Sequence, residues 1–158
     1  MLYTINPLTQ KNAKIIVGWQ YDPPYDLYDM EPKHLVGLLN PDYRYHQVLD
    51  RSGELAGYCC FGEDARVPGG IYDDGEPKVL DIGVGLKPQL TGQGLGKEFV
   101  SAILFYAGNT FQPPIYRVTV ADFNQRSLKT FLSLGFEITE QFTRELVNVN
   151  FTQLEKKV

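Results

Sequence analysis

The sequence predicts a mixed α/β fold, with strands and helices alternating along one chain. Three observations predict it. Short runs rich in β-branched and aromatic residues recur from Leu2 to Phe151; two stretches of helical periodicity separate them in the second half; and no apolar run approaches the roughly 20 residues that span a membrane. With 158 residues, 43% of them hydrophobic, the chain is most simply one domain with a proper core.

The elements follow in order. Leu2–Ile5 reads as a short strand. Thr9 can cap a helix running to about Val17. An aromatic loop follows, Trp19-Gln20-Tyr21-Asp22-Pro23-Pro24-Tyr25-Asp26-Leu27-Tyr28, then a short helix over Glu31–Leu39 with Pro32 in its first turn. Tyr43–Leu49 and Glu54–Phe61 form a hairpin around Asp50-Arg51-Ser52-Gly53. Residues 62–77, rich in Gly, Pro and Asp, make a long surface loop. In the strand Lys78–Leu86, Ile82, Val84 and Leu86 share one face, while Asp81, Gly83 and Gly85 share the other. Two glycines on one face weaken a strand, so something else is expected to approach the backbone there. Leu95, Phe99, Ala102, Ile103 and Tyr106 have helical spacing, which predicts a helix over about Gly94–Ala107. Ile115–Val120 is a strand, Gln125–Leu134 a helix stopped by Gly135, and Phe136–Phe142 and Glu145–Phe151 are closing strands.

Composition excludes several classes. The net charge is -4 with no basic cluster, which argues against a general nucleic-acid binder. Cys59 and Cys60 are the only cysteines, and no Cys/His pair has zinc-ligand spacing, so no metal is expected. The N-terminal stretch lacks a basic segment before an apolar core, and with reduced cysteines the expected compartment is the cytoplasm.

The stretch with most chemistry in it is Leu86-Lys87-Pro88-Gln89-Leu90-Thr91-Gly92-Gln93-Gly94-Leu95-Gly96-Lys97. A helix N-terminus offers free N–H groups and partial positive charge, and Gly92, Gly94 and Gly96 clear side chains from the approach of an anion. The same glycines would also suit a plain flexible turn. The spacing fails the nucleotide loop Gly-x4-Gly-Lys-Ser/Thr, because Thr91 stands where the first glycine belongs. It also departs from the dinucleotide pattern Gly-x-Gly-x-x-Gly.

That segment resembles the acetyl-CoA loop of the GNAT superfamily of N-acyltransferases. Val120-Ala121-Asp122-Phe123-Asn124-Gln125-Arg126-Ser127-Leu128-Lys129-Thr130-Phe131-Leu132-Ser133-Leu134-Gly135-Phe136 is similar to the superfamily's later Asn-x-x-Ser…Gly-Phe helix. The resemblance implies a mostly antiparallel twisted sheet of six to seven strands with about four helices. It further implies that Val84, Gly85 and Leu86 pair with a pantetheine arm, that Thr91, Gly92, Gln93, Gly94, Leu95, Gly96 and Lys97 bind the pyrophosphate, and that Asn124 contacts the arm. Two departures stand out. Thr91 occupies a position usually held by Gln or Arg, and Phe131 one often held by a tyrosine that protonates the departing thiolate.

An amine must lose a proton before it attacks a thioester, and Asp81 is the expected general base, with Glu54, Glu63 and Asp122 behind it. Trp19, Tyr21, Tyr25 and Tyr28, interleaved with Asp22, Asp26 and Asp29, would suit a cationic acceptor or simply plug one end of the core. The resulting expectation is an acetyl-CoA-dependent N-acetyltransferase acting on a small-molecule, peptide or protein amine. The alternative is a weak or inactive CoA-binding module. Exposed aromatics near the N-terminus would permit a homodimer.

Overall fold

The computed structural model describes residues 2–158. Its elements are β1 (Thr4–Pro7), α1 (Gln10–Ile16), α2 (Leu35–Leu38), β2 (His46–Leu49), β3 (Leu55–Phe61), β4 (Val79–Leu86), α3 (Gly96–Phe111), β5 (Ile115–Ala121), α4 (Gln125–Ser133), β6 (Glu137–Arg144) and β7 (Val149–Lys157). This is the predicted order. The strands join in one mixed sheet, β1-β2-β3-β4-β5-β7-β6, antiparallel throughout except between β4 and β5. Among the described residues no helix is long and apolar enough to cross a membrane.

Alternation along β3 divides the two faces. A Cβ placed on Gly57 would meet the Phe99 ring of α3 at 2.5 Å, whereas Tyr58 packs on the opposite face, its ring 6.1 Å from that of Trp19. The α3 face carries the larger core, in which Phe61, Ile82, Phe99, Ile103, Phe131 and Leu154 are buried. Each such side chain contributes about 1.5–3 kcal/mol by leaving water. The other face holds a smaller cluster of Ala13, Ile16, Trp19 and Leu38 beneath α1 and α2.

Several boundaries differ from expectation. The predicted Glu31–Leu39 helix is a 3-10 turn at Pro32–His34 followed by one α-turn. β2 begins at His46 rather than Tyr43, because Pro41–Tyr43 is a 3-10 turn ended by Arg44 at φ 52°. α3 begins at Gly96, since Gly92 and Gly94 have φ of 73° and 76°, outside the helical region. It continues to Phe111, where Gln112 turns left-handed ahead of Pro113 and Pro114. β7 starts at Val149 and runs to Lys157, well past the predicted end at Phe151, because Phe151–Lys157 pair with the whole of β5.

Candidate active site

β4 and β5 pair only over Val79–Asp81 and Ile115–Arg117, then separate. Gly62 N–H donates to the Asp81 carbonyl and Lys87 N–H to the Ala56 carbonyl, so odd-numbered residues of β4 turn their peptide groups toward β3. By alternation Val84 and Leu86 turn theirs into the gap. The gap opens into a cleft of about 970 Å³ that reaches from β4 and β5 to α3 and α4.

One end of the cleft is the glycine turn. α1 is capped by the Thr9 hydroxyl and α4 by the Asn124 carboxamide, but the N-terminus of α3 has no side-chain cap. Among the described residues, the N–H groups of Gly96, Lys97 and Glu98 therefore have no protein acceptor. Their positive end of the helix dipole points into the cleft mouth. The turn positions Gly92 and Gly94 both require a left-handed backbone, and nothing lies within 4 Å of where a Gly94 Cβ would be. The Thr91 hydroxyl is spent on the Pro88 carbonyl at 2.7 Å.

The missing charge comes from α4. The Arg126 guanidinium carbon lies 3.4 Å from where a Gly92 Cβ would stand, and 4.8 Å from the centre of the Tyr25 ring. Among the described residues that guanidinium has no hydrogen-bond or ion-pair partner. Sequence reasoning passed over it. Its signal was its place two residues after Asn124, in the first turn of α4, whose N-terminus faces the same cleft.

Tyrosines make the remaining wall. Tyr21 O–H donates to the Leu86 carbonyl at 2.8 Å, and Tyr28 Oη accepts from Asn124 Nδ2 at 3.2 Å. Burial pushes the Tyr21, Tyr28 and Tyr58 phenols above their ordinary range, so all three remain protonated donors at neutral pH. The Tyr58 hydroxyl reaches the cleft with no partner among the described residues. Asp22 is the single carboxylate among the cleft-lining residues.

The sequence matches the family model described as Acetyltransferase (GNAT) family over residues 9–136. The chain belongs to the GNAT acetyltransferase family. No curated protein sequence matches it significantly. Solved structures give the same architecture. A GNAT-family acetyltransferase from Bacillus anthracis superposes with a TM-score of 0.75 at 14% identity, covering 99% of this chain and 95% of that one. A mutant spermidine N-acetyltransferase from Vibrio cholerae gives 0.69 at 14% identity, covering 99% and 94%.

Within this GNAT domain, four sequence expectations need correction. Asp81 is not available as a base. It is buried at 3% exposure, its Oδ1 accepts from Arg117 Nε at 2.6 Å, and its Oδ2 accepts from Arg117 Nη2 at 2.9 Å and Arg66 Nε at 3.0 Å. It lies at the last β4–β5 pair, beneath the 62–77 loop, and outside the cleft lining. The face of Gly83 and Gly85 is not bare either. A Cβ on Gly85 would fall 2.3 Å from the Tyr58 ring, and one on Gly83 2.8 Å from Cys60 Sγ. The glycines make room for neighbours of β3, and the cleft runs along the strand edge instead.

Trp19 is core, 8% exposed, rather than part of the cleft wall. The Gln93 side chain folds back to donate to the Gln89 carbonyl at 2.6 Å, and neither the Gln93 nor the Lys97 side chain is part of the cleft lining, which leaves Lys97 its backbone N–H rather than its charge. Phe131 is buried and edge-on to Phe136 at 5.2 Å, on the cleft floor. Val84, Gly85, Leu86, Thr91, Gly92, Gly94, Leu95, Gly96 and Asn124 all line the cleft, as do Tyr21, Tyr25 and Tyr28.

Proposed function

We propose that this chain is an acetyl-CoA-dependent N-acetyltransferase acting on a primary amine. The observation that supports it most is the uncapped N-terminus of α3 beside a guanidinium that has no partner among the described residues, at the end of a cleft edged by unpaired strand. The residues fit a diphosphate followed by an amide-bearing arm. Amides at Gly96, Lys97 and Glu98 with Arg126 would hold the diphosphate, and the Val84 and Leu86 peptide groups with Asn124 would hold the arm. Bound acetyl-CoA would supply an acyl thioester open to direct attack by a neutral amine.

The chain's own groups supply the rest. Asp22 offers the carboxylate oxygen that can take the ammonium proton at the exposed rim. The Tyr58 hydroxyl stays protonated and is free to donate to a ligand in the cleft, where Phe131 can donate none. Burial pushes the Cys60 thiol up to about 12 and holds the Cys59 thiol well above its ordinary range, so neither cysteine offers a thiolate for a covalent route. Holding both reactants in one cleft then contributes mainly through proximity.

Phe131 favours a second reading, a domain that binds CoA without turning it over. Thiol release from acetyl-CoA across a panel of amines separates the two. Release with at least one amine is expected; CoA binding without release for any amine would favour the second reading. A melting temperature unmoved by saturating CoA would overturn both.

A further inference from the structure

The segment between α1 and α2 touches both walls of the cleft. On the β4 side, Tyr21 O–H holds the Leu86 carbonyl at 2.8 Å. On the α4 side, Tyr28 Oη accepts from Asn124 Nδ2 at 3.2 Å, and the Tyr25 and Tyr28 rings lie 5.7 Å and 6.0 Å from Phe123. The two wall-spanning tyrosines meet edge to face at 6.5 Å. The crossing stands where β4 and β5 have already parted.

Leu86 and Asn124 are also the groups that would hold the cofactor arm, so this inference rests on the function proposed above. We propose that residues 21–28 form a strap that competes in cis with the pantetheine arm of CoA, which is taken up only as the strap lifts. Leu86 oxygen could accept a second hydrogen bond and Asn124 nitrogen could donate one. Tyr21 and Tyr28 nevertheless line the cleft the arm would enter and already hold the two groups it would use. The strap is held loosely enough to lift. No residue from Gln20 to Met30 is fully buried, and only Tyr21 and Met30 pack, partly buried, against the smaller core cluster.

Binding through a minority open state weakens apparent affinity by the open fraction. Removing one ordinary hydrogen bond from the closed state raises that fraction by about two- to tenfold. Tyr21→Phe and Tyr28→Phe should each tighten CoA binding by that factor in isothermal titration. In unmodified protein, hydrogen exchange over residues 20–30 should quicken when CoA is added. Variant affinities equal to or weaker than wild type, or slower exchange over 20–30 with CoA, would overturn the strap while leaving the function intact. Wild-type protein that takes up no CoA would overturn both.

Discussion

Replacing Arg126 with Gln isolates the charge at the glycine turn. The guanidinium is exposed and has no hydrogen-bond partner among the described residues, so the fold loses little. Surface substitutions of this kind cost within about 0.5 kcal/mol, with about 0.5–1 kcal/mol more for the cation stacked on Tyr25. A hydrogen bond to a phosphate is worth about 1.5–3 kcal/mol, which is roughly a 10- to 100-fold loss of CoA affinity. Freeing Tyr25 loosens the strap and opposes that loss by at most about 1 kcal/mol, so the sign holds. Isothermal titration with CoA reads the effect, and pantetheine, which lacks the diphosphate, is the control. A large loss is expected for CoA and none for pantetheine, with a melting temperature lowered by no more than about 6 °C. CoA affinity within about twofold of wild type, or a parallel loss for pantetheine, would refute the reasoning.

Two further predictions concern groups outside the cleft. Asp81→Asn leaves Arg117 and Arg66 facing a neutral amide in a buried site, which costs about 3–5 kcal/mol and should lower the melting temperature by roughly 6–20 °C. Enzyme that remains folded should keep the shape of its pH–rate profile; loss of the acidic limb with stability intact would restore Asp81 as the base. His46 is buried between Phe61 and Tyr106, and desolvation lowers its pKa below 6.5 despite the Arg44 carbonyl at 2.8 Å. The unfolded chain therefore binds this proton first, so stability is full above about pH 6.5 and declines as pH falls toward the lower folded value. His46→Gln should flatten that decline in urea unfolding. An unchanged slope between about pH 6.5 and 5 would contradict it, since the lowered Asp50 and Asp74 titrate below 3.8.

The parts of this molecule legible in sequence are those set by local pattern. Strand alternation and helical spacing depend on neighbours a few residues away, and they gave the element order and the glycine turn. Alternation even put Asp81 opposite Ile82 correctly. It carried no information about the 62–77 loop folding Arg66 over that face, and so a structural ion pair read as a catalytic base. Gly83 and Gly85 misled for the same reason, because the Cys60 and Tyr58 side chains that fill their face come from another strand. Arg126 and Gly92 are 34 positions apart, and only tertiary packing brings them together.

Titration of isotope-labelled protein with CoA, followed amide by amide in NMR spectra, is the most direct test of where the diphosphate and arm sit. The N–H signals of Gly96, Lys97 and Glu98 should shift most, downfield as they gain acceptors, together with those of Val84 and Leu86. Saturable binding that leaves these five signals unmoved would contradict the account.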